Sequence, residues 1–598
     1  DSVNTNDYTP NNFSVAAGAG NDSVTDTPTN NYPTFNPTFR VNGFDAVRTI
    51  SNGALALSGA TNNTQDAIHA ASTPFPLTGK WYVEVNVTTL GTAGGNQGGP
   101  LIGITDIPGT GINSTSKMIR ADGKVATTGN AGGAGNSHFT SSFAANIAQG
   151  DVWQLAYDAD NRYVYFGKSN NWADGSGNYD ESTFGNAQAH ATQPTAGVPQ
   201  LFVLCTPYSS ASAISYQLDI NFGQRAFAHT PPTGYKKLCT ANLPTPTILK
   251  GTDHFDIATW HGNNYNGTRV ITSSMAFQPA LHWVKMYTYA AHYLAFDAIR
   301  GFAGDKDLTL NYTHAEGGEA SATYGYITAQ SNGFSTVKGS SSNNNVNYEE
   351  GVGDADAMFI GYNWKGGSTV TNDTGSVDSQ VNANPSAGFS IVSYTGTGSD
   401  ITIGHGLGVV PDAIFVKCRS DASTNWGVFH KSLGASYIVQ LDVNNAQWQN
   451  SGVFNDVLPT SSVFSVDGGS GMSGTSGRTY IAYCFSSVEG YSKFGSYTGN
   501  GNADGTFVYT GFKPAFVLLK RTSSAASWVL QDNKRAGYNG DNDYLHPDNT
   551  QAQSDGSSGS LDLLSNGFKL RMTAGTHNDG TFVYMAFAER PFKYANAR

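Results

Sequence analysis

The sequence predicts an all-β protein: a multidomain string of β-sandwich or jelly-roll-like domains behind an extended N-terminal arm. Three observations carry this. The last third repeats itself. Tyr394-Thr395-Gly396 and the strand Pro411-Asp412-Ala413-Ile414-Phe415-Val416-Lys417 recur as Tyr497-Thr498-Gly499 and Pro514-Ala515-Phe516-Val517-Leu518-Leu519-Lys520, at a constant offset of 103 residues. The composition sets 70 glycines and 12% aromatic residues against only 13% charged ones. Gly, Ser, Thr and Asn flank short Val/Ile/Tyr/Phe runs, the profile of strands and turns. No stretch carries a helical period of convincing length.

The totals exclude several classes. A chain of 598 residues corresponds to about four domains. Its aromatic content is not that of a disordered chain. The net charge is −12 and Lys/Arg do not cluster, which argues against a nucleic-acid partner. No apolar run approaches the roughly 18 residues of a membrane helix, so membrane insertion is not expected. Cys205, Cys239, Cys418 and Cys484 share no short spacing and read as small buried apolar residues, not a disulfide framework. The chain starts at Asp1 without Met or a signal-peptide pattern, as expected of a processed chain or a piece of something longer.

In chain order, residues 1–38 are dominated by Asn, Thr, Asp, Ser and Pro. They read either as an extended arm packing on a neighbour, anchored by Phe13, Val15, Tyr32 and Phe35, or as plain disorder. Residues 39–242 form one β-sandwich. Within it, Trp81, Val83, Val85 and Val87 alternate onto one strand face. Two strands flank the polar turn at Asp158-Ala159-Asp160-Asn161 as a hairpin. Leu201-Phe202-Val203-Leu204-Cys205 is a continuous apolar run, suited to a strand buried on both faces. Leu243-Pro244-Thr245-Pro246 is a linker, because two prolines exclude helix and central strand. Three repeats follow, at 243–367, 368–488 and 489–598. The first contains Pro279-Ala280-Leu281-His282-Trp283-Val284-Lys285. Residues 366–387 read as a Gly/Ser/Thr/Asn connector. Thr479-Tyr480-Ile481-Ala482-Tyr483-Cys484-Phe485 matches Thr581 to Phe587 as a closing strand. Asn332-Gly333 and Asn566-Gly567 are expected to supply the φ > 0 pair of tight type I′ turns. Repeats of about 100 residues are too long for a solenoid, whose unit runs about 20–50.

Two resemblances follow from these residues. Lys80 to Glu84, Ile102-Gly103-Ile104, Val152 to Gly167 and Asn221-Phe222-Gly223-Gln224 through Pro231-Pro232-Thr233-Gly234-Tyr235-Lys236 resemble the SPRY-type (concanavalin-like) β-sandwich. Such domains bind partners or ligands through variable loops and are not enzymes as a class. The repeats, with Gly388-Phe389-Ser390-Ile391-Val392-Ser393-Tyr394-Thr395-Gly396 and Gly404-His405-Gly406-Leu407-Gly408 as markers, resemble a β-domain of unknown function. That domain recurs in tail-fibre and structural proteins of marine bacteriophages. There it often follows a SPRY-like sandwich and an arm similar to Asn6-Asp7-Tyr8-Thr9-Pro10. The first repeat departs most, with Trp260-His261-Gly262 for the Tyr-Thr-Gly opening.

Chemistry is sparse. Glycosidases need two carboxylates about 5–10 Å apart; the main glutamate clusters, Glu316/Glu319 and Glu349/Glu350, read as solvated loop charges. No Glu-x-Asp-x-x-Glu strand is present. His254 and His261 do not share a ligand face, and Asp158/Asp160/Asn161 lacks the rest of a calcium loop. Residues 469–474, Gly-Ser-Gly-Met-Ser-Gly, fit a phosphate-loop pattern formally. A strand follows them, so the helix N-terminus is missing. Asp297/Arg300 and Asp532/Arg535 recur at one spacing and read as local ion pairs or turn contacts, with the small weight of surface pairs. Trp172, Trp448, Tyr538 and Tyr544 suit glycan stacking or a core equally well. No catalytic, metal or cofactor residue is therefore assigned, and the ligand-binding residues are unknown.

The expectation is a non-enzymatic bacteriophage structural protein, a fibre or appendage subunit on the virion. It would present β-sandwiches for attachment to a host-surface glycan or protein. By family analogy it would be a homotrimer, and its arm would dock on other virion proteins. The alternative is a secreted or cell-surface carbohydrate-binding protein of a marine bacterium; a polysaccharide-degrading enzyme fits least.

Overall fold

Strand-forming runs separated by glycine-rich turns give an almost wholly antiparallel protein, as the composition implies. The computed structural model describes residues 30–36, 49–60, 67–91, 99–105, 117–126, 139–187, 201–206, 215–263, 267–271, 275–340, 346–347, 357–535, 539, 542–554 and 560–595. Among these the only α-helices are the single turns Ser321–Tyr324 and Ser451–Phe454. The chain divides into two units, Asp1–Thr245 and Pro246–Arg598.

The first unit is a two-sheet sandwich. The larger sheet centres on Ser215–Asn221, Lys80–Leu90 and Val152–Asp158, and the smaller on Leu201–Thr206 and Leu101–Thr105. Trp81, Val83, Val85 and Val87 all enter the core between them, as their alternation requires. Their outward neighbours are covered too. The Tyr82 hydroxyl donates to Glu84 Oε1 (2.9 Å), and Glu84 accepts the backbone N–H groups of Ala228 and His229. The segment leading into Tyr235 is thereby pinned across the sheet's outer face, where Tyr235 joins Tyr82 and Trp172. Residues 30–36 pack on this sandwich, with Tyr32 and Phe35 in its core; Phe13 and Val15 lie outside the described residues.

The second unit contains the three repeats, and each builds its main sheet in one order. An opening strand (Phe255–His261, Phe389–Thr395, Ser492–Asn500) pairs with a closing strand (Met358–Lys365, Thr479–Phe485, Asp579–Pro591). The closing strand pairs with a lysine-bearing strand (Pro279–Met286, Ala413–Cys418, Phe512–Arg521), and that with a clasp strand (Leu294–Asp297, Gly427–His430, Val529–Asp532). One face of each sheet closes a private core under a small second sheet. The other face enters a single core shared by all three repeats. Burial on both faces explains the unbroken apolar runs such as Phe516-Val517-Leu518-Leu519. The registers fix the equivalences: Trp283 faces Tyr362, Phe415 faces Tyr483 and Leu518 faces Met585.

The repeats close into a pseudo-threefold ring. Equivalent closing-strand residues Trp364, Phe485 and Phe587 meet pairwise, with ring centroids 6.1, 5.8 and 6.0 Å apart. Each repeat donates one equivalent backbone hydrogen bond to the next: Glu316 N to Arg419 O, Gln447 N to Thr522 O and Gln553 N to Tyr287 O. Two details differ from expectation. Residues 366–387 are no plain connector: Thr369–Asn372 and Ser379–Asn384 add a hairpin to the second repeat's sheet. The Asn-Gly pairs do not centre type I′ turns. Gln330 pairs with Gly333 and Leu564 with Gly567, so Ser331-Asn332 and Ser565-Asn566 occupy the corners, and none of the four has positive φ.

Candidate functional site

Several buried charges bond across the seams of the ring. Lys285, Lys417 and Lys520 are equivalent and have no solvent exposure. Each donates to the carbonyl two residues before the repeat's equivalent aromatic, Tyr293, Trp426 or Trp528. Lys285 Nζ reaches Ala291 O at 2.5 Å, Lys520 Nζ reaches Ala526 O at 2.6 Å, and Lys417 Nζ bonds Thr424 O. Lys285 and Lys417 also cross a seam, to Thr550 O (3.0 Å) and Thr313 O (2.8 Å). Burial pushes the Lys285 ammonium down to about 7 and those of Lys417 and Lys520 to about 8. The latter two have Asp442 and Asp548 nearby to oppose the drop. At the equivalent position the first repeat carries neutral Asn311, whose Oδ1 caps Tyr293 N as Asp442 caps Trp426 N.

Asp297/Arg300 and Asp532/Arg535 are not surface pairs. All four side chains are at most 1% exposed. Asp297 also accepts the hydroxyl of Tyr483 (2.9 Å) from the second repeat, and Asp532 that of Tyr362 (3.0 Å) from the first. At the third seam the equivalents are His430, Leu433 and Met585, and His430 Nε2 donates to Tyr584 O (3.3 Å). Glu316 and Glu319 are likewise not solvated. Burial works to raise the Glu316 pKa, but hydrogen bonds from Arg419 (2.6 Å) and Lys306 (2.8 Å) hold it below the ordinary range. His314 Nδ1 lies 2.8 Å from Glu319 Oε1.

Among the described residues, an open groove of about 520 Å3 lies in the second repeat, lined by Thr424, Asn425, Asn450, Asp467, Ser470 and Met472 among others; a smaller pocket of about 160 Å3 lies by Phe255, Ala515 and Glu589. Three pieces position it. The loop at 421–425 is fixed by Asp421, which accepts Ser423 N (2.7 Å) and pairs with Arg478. Asn450 caps the helical turn Ser451–Phe454 by accepting Gly452 N (2.8 Å). The loop at 467–474 folds on itself: Asp467 Oδ1 accepts Gly469 N (2.6 Å), and Ser470 O accepts Gly474 N and Thr475 N. Its glycines serve close backbone approach, since a Cβ on Gly474 would stand 2.0 Å from Asp467 O. Those N–H groups are spent internally, and the strand Thr479–Phe485, not a helix, follows, so the loop is no helix-backed phosphate cradle. Asn425 Nδ2 donates to Asp442 Oδ2 (3.0 Å), and burial pushes Asp442 up to about 6.

Of the aromatics singled out in the sequence, Trp172 is buried, Tyr544 packs on the third repeat's core, and Trp448 is 40% exposed; Tyr538 lies outside the described residues. Glu349 and Glu350 also lie outside them. His254 Nδ1 meets Asn384 Nδ2 (3.2 Å), not a shared ligand set. Cys239, Cys418 and Cys484 are buried and free. Sequence reasoning missed Thr424 and the seam tyrosines. The only signal was the recurring lysine within an apolar strand.

Comparison with known proteins adds a family. A family model described as a domain of unknown function (DUF7483) matches residues 250–591, more than half the chain and all three repeats. No curated protein matches. Among solved structures, the SPRY domain of human HERC1 is similar at 17% identity, covering 31% of this chain and 96% of that one, with a TM-score of 0.21. The PSpry domain of TRIM65 is similar at 12% identity, covering 32% and 92%, with a TM-score of 0.19. The potassium-bound carbohydrate recognition domain of Emp46p is similar at 12%, covering 31% and 97%, also at 0.19. Similarity at this level carries no information on ligand or partner.

Proposed function

This chain belongs to the DUF7483 family, a domain of unknown function, and on that premise we propose that it is a non-enzymatic bacteriophage structural protein. Its role is that of a fibre or appendage subunit that attaches the virion to a host surface, with a glycan as the favoured receptor. The observation that carries this reading is the closed ring. Three β-sandwich repeats share one core, and buried Lys285, Lys417, Asp297 and Asp532 each bond across a seam. Such a frame holds shape and presents loops, and its interior charges serve cohesion. It also builds a threefold frame within one chain, a form suited to seating on a trimeric shaft. Homotrimerisation, docking through the N-terminal arm and a virion location belong to the same proposal.

Antibodies against the ring are expected to decorate appendages of phage particles and to block adsorption. Their labelling only a secreted fraction of uninfected bacteria would favour the alternative, a secreted or surface carbohydrate-binding protein. Light scattering on the intact protein is expected to give three times the 63.2 kDa chain mass; a monomer would remove the homotrimer from the proposal.

A further inference from the structure

Position 424 separates the second repeat from its siblings. The lysine-bonded carbonyl belongs to Ala291 in the first repeat, Thr424 in the second and Ala526 in the third. The frame therefore works with alanine twice. Thr424 is only 8% exposed, and its Oγ1 has no hydrogen-bond partner. A buried hydroxyl without a partner costs roughly 1–3 kcal/mol, so its presence where alanine suffices calls for a reason. Thr424 lines the groove.

The rest of the lining has a consistent character. Among the described residues, Asp467 Oδ2, Asn425 Oδ1 and the Ser470 hydroxyl make no protein hydrogen bond; Asp467 bonds through Oδ1 and Asn425 through Nδ2. The lining holds one carboxylate and no cation, and Met472 supplies an apolar patch. Its volume, about 520 Å3, falls within the roughly 300–1,000 Å3 of small-ligand sites. A carboxylate, an amide and hydroxyls around an apolar floor suit a ligand that offers several hydroxyl donors on a ring with an apolar face. With one carboxylate and no cation in the lining, a phosphate or carboxylate ligand would meet net negative charge.

We propose that the groove of the second repeat, floored by Thr424 and Met472 and edged by Asn425, Asp467 and Ser470, binds a neutral hexopyranose unit of a surface glycan. This rests on the attachment reading above and names its site and ligand class.

Saturation-transfer NMR on the full chain tests it with the methyl pyranosides of glucose, galactose, mannose and N-acetylglucosamine, beside glucuronate and glucosamine. At least one neutral glycoside is expected to bind. Thr424→Ala, matching the sibling repeats, is expected to keep the melting temperature or raise it while weakening binding about three- to tenfold. Gly471→Leu is expected to abolish binding: its Cβ would meet only Thr424 Cγ2 at 3.4 Å and Arg478 Nη1 at 3.6 Å, leaving the backbone in place. Preference for glucuronate or glucosamine would overturn the neutral class. Silence from every neutral glycoside, or unchanged binding by both variants, would overturn the site. Adhesion of labelled chain to host cells is measured in parallel. Adhesion that survives both variants leaves attachment standing and overturns the groove as its seat; adhesion absent in the wild type, with glycoside binding intact, fails the attachment reading alone.

Discussion

Asp297 sits at 0% exposure with Arg300 Nε 2.5 Å and the Tyr483 hydroxyl 2.9 Å away, and its two partners predict two different costs. Asp297→Asn removes the nearer counter-ion of the buried guanidinium, leaving only Glu316 at 3.9 Å, and should cost about 3–5 kcal/mol. Tyr483→Phe removes the hydroxyl that donates to Asp297 and accepts from Arg300 Nη2 while the ion pair remains, and should cost about 1–2 kcal/mol. Chemical denaturation of both variants checks the order; equal costs would mean the pair is not buried as described. Lys285 gives a pH prediction. Its folded pKa of about 7 lies below the ordinary lysine value of about 10.4. Between these values the unfolded chain holds a proton that the folded chain has lost, so stability from this site rises with pH. A neutral amine still has two N–H groups for its two carbonyl acceptors. The wild type should gain on Lys285→Met in melting temperature between pH 7 and 9.5; parallel curves would show that the lysine stays charged.

The individual strands were legible in the sequence, and their partners across the ring were not. Alternation at Trp81 to Val87 and the offset of 103 residues reflect local chain geometry, which short windows carry. The recurring Asp-x-x-Arg was visible too. Its burial was not, because Tyr362 and Tyr483 lie 170 and 186 residues from their carboxylates. The unbroken apolar runs were the available hint that the sheets bury both faces. Thr424 was illegible because it matters only by comparison with Ala291 and Ala526, an alignment the lysine contacts reveal. The third seam shows what element substitution does. His430 is held neutral, with burial lowering its pKa to about 4. Between about pH 6.5, the ordinary histidine value, and 4 the unfolded chain takes a proton that the folded chain refuses, so stability falls on acidification. Hydrogen exchange at pH 5 should therefore rise first in Gly427–His430 and Asp579–Pro591; equal loss at all three seams would contradict this.

At the scale of the molecule, residues 246–598 close into one body around a shared core. Repeats on an open string would unfold by nearest-neighbour rules, with the first and third independent. In the ring they touch through Tyr362 and Asp532, through Lys285 and Thr550, and through Gln553 and Tyr287. That closure makes the groove rigid, since Thr424 is tied through Lys417 to Thr313 of the first repeat, and a rigid seat loses less entropy on binding. The most direct measurement is a double-mutant cycle of Tyr362→Phe and Asp532→Asn, read by denaturation. Closure predicts a coupling energy of about 0.5–3 kcal/mol between residues so distant in sequence; strictly additive effects would show that the first and third repeats never meet.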